Sequence, residues 1–434
     1  MRQLLFTILL LSLLTAGFSQ GTGFSLGINL CGGEMGENNI PGTLNNHYAY
    51  PTEEEVDYFY KKGFKLVTIP FRWERIQKDL GGDLDYQEIG EIKKVVGWCS
   101  NKGMKVIISM HNSGRYKKYG IDYLIGTYSV SRADYADVWN RLVNAFSGYQ
   151  NIYGYEIMTE PHEMQGFDWF TTAQQAINSI READKRNHII IAGENYAAAE
   201  SWKEYSDNLK NLKDPSDKII YNAHCFFDLD FTGKYLYSYE QCKVEDSTGI
   251  KRVMPFVNWL RDNNKKGMVG AFGVPDTDPR WLKLMENFIR YLNNNNIAAN
   301  YWASGKRWSG NPLSVYPLAQ NDRPQMSVLQ QFITGVAYEE KPIVASSNIT
   351  NSNISNTNTA VATTANSNSS STESVNSAPV IERTPVPTLP SPPPESFLFL
   401  PGTVLLPQPN GGLYKPTLKQ MPTDTGVRVA KYKN

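Results

Sequence analysis

The residues of this chain that could do chemistry each follow a short apolar segment. They are Arg72, Trp73, His111, Asn112, Glu160, Asn195, Tyr196, His224 and Trp302. A glutamate can transfer a proton, a histidine can hydrogen-bond to it, and an aromatic ring can stack on the apolar face of a sugar. Together these residues form a set of polar and aromatic groups that could contact one sugar.

The segments that must position these side chains alternate between two patterns. Apolar, β-branched segments predict strands at 25–30, 65–71, 105–112, 152–161, 188–195, 218–226, 267–275 and 298–305. Amphipathic stretches between them predict helices, for example 85–102 and 131–146, and Thr52 with Glu55 predicts a capping box at a helix start. The alternation favours a (β/α)8 TIM barrel, in which catalytic residues follow the carboxyl ends of the strands. A doubly wound sheet is the alternative, but its Gly-rich first turn is absent.

The two ends of the chain differ in composition from the barrel, which we predict over residues 20–336. Residues 1–19 contain Arg2, an apolar run and then small residues, so we expect a signal peptide and a secreted protein. Residues 337–395 are rich in Ser, Thr, Asn and Pro, which predicts a disordered linker. Residues 396–434 form a C-terminal tail to which we assign no role.

The charge of the chain is balanced, with 43 basic and 43 acidic residues, so we expect no binding to nucleic acid. No apolar run reaches the roughly 20 residues that a membrane span needs, and we expect a monomer. Four cysteines permit three pairings; a Cys225–Cys242 disulfide and four buried free thiols are both open. We expect no cofactor and no metal.

Six segments resemble, in order, the motifs of family 5 glycoside hydrolases, in particular secreted endo-β-1,4-glucanases. They read PFRWERIQ, VIISMHNSGRY, YEIMTEPH, YNAHCFFDLD, VGAFGVP and YWASGKRW, and the resemblance spans residues 24–334. It implies a TIM barrel that binds β-1,4-glucan.

The resemblance implies roles for individual residues. Glu160 falls on the acid/base, His111 and His224 on the histidines that line the subsite of the cleaved sugar, and Trp302 on the tryptophan under its ring. Asn112 fits the loop after the third strand. The further substrate-binding candidates are Thr159, Tyr196 and Trp308.

Five positions depart from the family. Ala271 stands where the family has its nucleophilic glutamate, and retaining hydrolysis needs two carboxyl groups roughly 5–5.5 Å apart. Thr68, Phe226 and Thr159 replace an arginine, a tyrosine and an asparagine, and Ser109 stands at an aspartate position. In the family, the arginine and the tyrosine hydrogen-bond the nucleophilic glutamate. Losing the arginine, the tyrosine and the glutamate together therefore removes the whole charged cluster.

Three hypotheses follow. The first is a cellulase-like protein that binds β-glucan but hydrolyses it very slowly or not at all. The second is a working glycosidase that uses a relocated carboxylate, for which the candidates are Asp228, Asp230, Asp276 and Asp278. The third is a non-catalytic adhesive or scaffold protein. A metal site formed by His111, His162 and His224 is conceivable, but their spacing does not support it.

Overall fold

The computed structural model of the protein describes residues 25–164 and 166–333. They form a closed barrel of eight parallel strands, in which each strand pairs with its neighbours in chain order and the first closes against the last. The strands, β1 to β8, are Leu26–Leu30, Leu66–Phe71, Lys105–Met110, Ile152–Glu156, His188–Ala192, Ile219–His224, Gly267–Phe272 and Ala298–Ser304. The (β/α)8 prediction is confirmed, and the doubly wound alternative is wrong.

Helices cover the outside of the barrel. They are α1 to α10, at Glu53–Lys61, Trp73–Ile76, Tyr86–Asn101, Arg132–Ala145, Trp169–Ala183, Trp202–Ser206, Tyr239–Cys242, Thr248–Asp262, Pro279–Asn294 and Pro324–Ile333, with 3-10 turns at Asp207–Asn211 and Lys306–Trp308. The capping box of Thr52 and Glu55 is present at the start of α1. Because the helices cover one face of the strands and side chains fill the interior, the strands are buried along almost their whole length.

The predicted strands start within one residue of the observed ones, but several end too late. The prediction 152–161 continues past β4, which ends at Glu156. Ile157 and Met158 are fully buried all the same, because the chain keeps packing against the barrel after it leaves the sheet. Glu160 therefore lies on irregular backbone beyond the end of β4.

An antiparallel hairpin after β3 was not predicted. It pairs Arg115–Lys118 with Ile121–Leu124. The Tyr116 ring of this hairpin packs edge-on against Trp73 at 4.9 Å, and its hydroxyl donates to the carbonyl of Gln77 at 2.9 Å. The hairpin thus supports the rim from the β2 side.

Several predictions concern residues outside the described ranges. The signal peptide at 1–19, the linker at 337–395 and the tail at 396–434 lie there, as do the outermost residues of the barrel range 20–336. Of the helices within residues 25–164 and 166–333, none has the length and apolarity to cross a bilayer. All four cysteines are buried free thiols, so the Cys225–Cys242 disulfide is not formed.

The interior of the barrel can be tested at Gly270 on β7. A Cβ atom built there would lie 2.3 Å from the side-chain amide of Asn222, so Gly270→Ala forces that buried amide to move. We expect a loss of about 1–3 kcal/mol in the free energy of unfolding. Gly90→Ala, inside α3 where nothing lies within 4 Å, is the control and is expected to add about 0.5–1 kcal/mol. Urea unfolding of both variants measures this, and equal stabilities would contradict it.

Candidate active site

Glu160 and His224 form the centre of the site. The Glu160 carboxylate lies 2.7 Å from Nδ1 of His224, and its side chain is 36% exposed while the histidine is buried. Burial alone would lower the pKa of His224, but the hydrogen bond to Glu160 and the charge of Glu156 raise it above its ordinary value. The geometry therefore pairs a partly exposed carboxyl group with a buried histidine ring that orients it.

The backbone around this pair is held by bonds between strand ends. Glu160 itself has a left-handed conformation, with φ 49°. The amide of Thr159 donates to the carbonyl of Met110 at 2.8 Å, and the amide of His224 donates to the carbonyl of Ala197 at 2.7 Å. A left-handed φ costs a non-glycine residue free energy, which these neighbours offset.

His111 and Trp302 meet on the other side of the mouth. Their rings stack, with centroids 5.6 Å apart and planes 14° from parallel, and Trp308 contacts Trp302 edge-on at 6.1 Å. Burial, together with the charges of His224 and Arg72, lowers the pKa of His111 to about 3. His111 is therefore a neutral ring beside the indole, which can offer a flat surface to a sugar.

Tyr196 lies beyond Glu160 and is 47% exposed. Its ring stacks on His162 with centroids 3.9 Å apart. Three consecutive residues, Asn195, Tyr196 and Ala197, have φ between 54° and 62°, so this turn is left-handed throughout. The turn presents the phenol ring to a cavity of about 510 Å³. Residues that line this cavity include Glu160, Tyr196, Glu200, His224, Phe226 and Asp230.

The structure does not place two of the predicted residues at the mouth. Trp73 is fully buried, and its indole N–H donates to Gln77 at 2.9 Å, so its ring is not available to a sugar. Asn112 is also buried; its side chain accepts from the amide of Trp73 at 2.8 Å and donates to Glu74 at 2.9 Å. Asn112 thus anchors α2 to the end of β3.

Ala271 lies on the floor of the mouth in an apolar cluster. It is 3% exposed and packs with Phe226 and Leu313, and Trp302 and Tyr235 contact the same cluster. Ala271 on β7 is the register partner of His224 on β6, so the two residues lie side by side at the same level of the barrel. The strand position beside His224 is therefore surrounded by hydrocarbon.

The barrel interior below the mouth is polar and largely uncharged. Thr68 accepts a hydrogen bond from Asn300 at 2.7 Å. Glu156 accepts from Ser109 at 2.5 Å and from Asn222 at 2.6 Å, and burial raises the pKa of its carboxyl. Sequence reasoning missed Glu156, although its spacing of four residues from Glu160 on the same segment was a usable signal.

Of the four aspartates that were candidates for a relocated carboxylate, three are engaged in structural contacts and one lines the cavity. Asp228 is buried and accepts the backbone amides of Gly233 and Tyr235, each at 3.1 Å. Asp276 pairs with Arg323 at 3.2 Å, and Asp278 caps α9. Asp230 lines the cavity that Glu160 lines.

Glu200 also lines this cavity and was missed from the sequence, because it lies five residues beyond the predicted strand end at Asn195. Burial raises the pKa of its carboxyl. Two carboxylates therefore share the cavity with Glu160.

Three histidines approach the mouth but are engaged separately. His111 stacks on Trp302, His162 stacks on Tyr196, and His224 pairs with Glu160. Across residues 25–164 and 166–333, no group of three or more His, Cys, Asp or Glu side chains is arranged to hold a metal ion.

Comparison with known proteins assigns this chain to one family. The profile of cellulase, glycosyl hydrolase family 5, matches residues 26–307, and the chain belongs to that family. It is 30% identical over 294 residues to endo-beta-1,4-glucanase B of Emericella nidulans, a match that covers 67% of this chain and 85% of the relative.

Solved structures agree with this assignment. Pseudomonas stutzeri endoglucanase Cel5A, solved in complex with cellobiose, is 37% identical with a TM-score of 0.68, over 71% of this chain and 92% of that one. The endo-beta-1,4-glucanase Xac0029 of Xanthomonas axonopodis pv. citri is 30% identical with a TM-score of 0.67, over 72% and 99%. The resemblance inferred from the six motifs is confirmed.

The charge state of His224 can be measured. Because Glu160 supplies the hydrogen bond that raises the pKa of His224, we expect Glu160→Gln to lower that pKa, as followed by NMR titration of labelled histidine. The raised pKa contributes stability that is complete below the unfolded value of about 6.5 and is lost as the pH rises through the folded value. Glu163→Gln, an exposed neighbour, is the control. A His224 that titrates below 6.5 in the unaltered protein would contradict the pairing.

Proposed function

We propose that this protein is a secreted, cellulase-like protein that binds β-1,4-glucan in its cleft and hydrolyses it very slowly or not at all. The observation that carries the proposal is the apolar cluster around Ala271, where the family resemblance puts the nucleophile. Without a carboxylate there, no glycosyl-enzyme can form, and general acid catalysis alone supplies only about 10²–10⁴-fold. Secretion rests on the signal peptide expected at residues 1–19 and stays a prediction.

The surroundings of Ala271 support a loss of the whole cluster. An arginine at position 68 without its carboxylate partner would be an uncompensated buried charge, which is costly. Thr68 instead hydrogen-bonds to Asn300 inside the barrel, and Phe226 packs on Ala271. Each of these positions is satisfied without a carboxylate, so the site is self-consistent as a neutral floor.

The rest of the mouth supports retained binding. Glu160 and His224 are paired, and Trp302, Trp308 and Tyr196 offer aromatic surface. Rings of this kind bind the apolar faces of sugars while polar neighbours contact the hydroxyl groups.

A second candidate is a working inverting glycosidase. It is favoured by Glu200 and Asp230, which line the same cavity as Glu160. In such an enzyme one carboxylate acts as base for a water molecule and stands roughly 6.5–9.5 Å from the acid. Under this alternative one of the two substitutions, Glu200→Gln or Asp230→Asn, would abolish turnover. Neither would change a non-hydrolytic binder. Glucan binding in turn separates both candidates from an adhesive or scaffold protein.

Binding is tested by calorimetry with cellotetraose at millimolar concentrations. We expect weak, measurable binding that Trp302→Ala weakens about threefold to tenfold, because a stacked ring contributes about 0.5–1.5 kcal/mol beyond its buried area. Tyr86→Ala is the matched control, since Tyr86 is an equally aromatic residue that is 89% exposed at the start of α3. Absence of heat with any β-glucan oligomer would favour the scaffold alternative.

Turnover is measured with an activated aryl cellobioside, first for the unaltered protein and then for variants in which the family's residues are restored. We expect a rate many orders of magnitude below the ~10 s⁻¹ typical of enzymes. Ala271→Glu alone should restore little, because the new carboxylate would face Thr68 and Phe226, and poor solvation would raise its pKa. When Ala271→Glu is combined with Thr68→Arg, Phe226→Tyr and Thr159→Asn, the gain in turnover rate should exceed the product of the four single gains. Residues that act as a unit behave in this non-additive way. Near-full activity from Ala271→Glu alone would contradict the cluster argument.

A further inference from the structure

Glu156 is a buried carboxyl group to which the proposed binding of glucan gives no role. It is the last residue of β4 and is 5% exposed. Ser109 donates a hydrogen bond to it at 2.5 Å, and Asn222 donates another at 2.6 Å. Burial raises the pKa of its carboxyl, and the charge of His224 lowers it. Because a carboxylate inside a protein is costly without a nearby cation, the charges of Glu156 and His224 favour each other.

Two hydrogen bonds tie β6 to the segment that contains β4. Glu156 accepts from Asn222, and the Glu160 carboxyl lies 2.7 Å from Nδ1 of His224. Asn222 and His224 are two residues apart on β6, so their side chains point to the same side of that strand. Because β5 lies between β4 and β6 in the sheet, both bonds reach past an intervening strand. His224 therefore bonds to one carboxyl group at the rim, and the second is bonded two residues further down β6.

The other ring nitrogen of His224 is available to a ligand. Within residues 25–164 and 166–333, Nε2 has no hydrogen-bond partner, and it is not one of their completely buried unpaired polar atoms. His224 lines the cavity of about 510 Å³, so a ligand in that cavity can reach Nε2. In a neutral ring whose Nδ1–H donates to Glu160, Nε2 is an acceptor, whereas both nitrogens of a charged ring donate. The charge of His224 therefore decides what this nitrogen offers to a ligand.

The charges of Glu160 and Glu156 act on His224 in the same direction. Burial alone would lower the pKa of His224. The hydrogen bond and charge of Glu160, together with the charge of Glu156, outweigh burial and raise it. The two carboxyl groups together therefore favour the charged ring.

The other groups around His224 contribute less to its charge. β7 and the turn after β5 lie beside it with Ala271 and with backbone atoms, which carry no charge. Burial, above all, lowers the pKa of His111 to about 3, so that ring is neutral near pH 7. Glu200 and Asp230 line the same cavity, but neither is hydrogen-bonded to His224.

We propose that Glu156 is a positioning residue for glucan binding, which acts through His224 by keeping its ring charged so that Nε2 donates to a sugar hydroxyl group. The inference rests on the proposed binding of β-glucan in the cleft. Glu160 then serves as a fixed acceptor beside the fixed donor Nε2, a pair that suits neutral hydroxyl groups. A hydrogen bond from a charged donor is roughly twice as strong as one between neutral groups, so the charge of His224 strengthens binding.

The test is the substitution Glu156→Gln, followed by NMR titration of labelled histidine and by calorimetry with cellotetraose, both over about pH 5 to 9. Glutamine removes the charge and keeps both hydrogen bonds, since its amide can donate to Ser109 and accept from Asn222. We expect the titration midpoint of His224 to move to lower pH. Between the two midpoints the ring is charged in the unaltered protein and neutral in the variant. Cellotetraose should bind the variant about threefold to tenfold more weakly in that window, and equally well below both midpoints.

Glu88→Gln is the matched control. Glu88 is also a buried carboxyl group with a pKa raised by burial, and it accepts hydrogen bonds from Tyr48 and Tyr50, but it lies on α3. Its substitution should change neither the His224 midpoint nor the affinity. A further measurement needs no variant, because the carboxyl ¹³C shift of Glu156 in the unaltered protein should show a step at the His224 midpoint.

Three results would overturn the inference. One is a His224 midpoint that Glu156→Gln leaves unchanged, and another is an affinity that falls by the same factor at every pH, as a purely structural role would give. The third, which applies even if Glu156→Gln does not fold, is a Glu156 carboxyl shift without a step at the His224 midpoint. Failure of the unaltered protein to bind cellotetraose at any pH would instead refute the proposed function. The titrations are carried out without ligand, so the two kinds of failure are distinguishable.

Discussion

Closure of the barrel is the constraint on which the site depends. The pairing of β1 with β8, in which Ile28 lies opposite Tyr301, joins the first and last strands of the sheet and removes both of its edges. All eight strands are parallel, so their carboxyl ends meet at one rim. Glu160 after β4, His224 at the end of β6 and Trp302 within β8 are far apart in sequence and share that rim for this reason alone. Every distance in the site follows from closure.

Charge inside the barrel is the second organising constraint. Glu156 is a buried carboxyl group held by Ser109 and Asn222, and His224 feels its charge as well as that of Glu160. An arginine at position 68 would add a cation to an interior that has no second carboxylate at Ala271 to pair with it. The five departures that the family resemblance implies are therefore easier to understand together than singly. Thr68 accepts a hydrogen bond from Asn300 and Ala271 packs among hydrocarbon side chains, so neither position holds an unpaired charge.

Much of the fold and part of the site could be predicted from the sequence. Strand periodicity located all eight strands, and the motif order located Glu160, His224 and Trp302, because these signals are local. Side-chain partners are not local. Asn112 and Trp73 were expected at the mouth because each follows a strand, yet Asn112 bonds to α2 and Trp73 is packed beneath the hairpin. Glu200 was missed because a left-handed turn carries the chain back over the cavity after the strand signal has ended.

The sequence by itself determined the alternation of strands and helices, the family, and the residue at each candidate site position, including Ala271. These properties depend on residue type and spacing, which are independent of contacts across the barrel. Only the tertiary structure decided that Ala271 lies in a hydrocarbon cluster, that Asp228, Asp276 and Asp278 are engaged in structural contacts, and that Glu200 and Asp230 share a cavity with Glu160. The physical reason is that burial and pairing are set by groups brought together from different strands, and strand pairing, not sequence distance, fixes which groups meet.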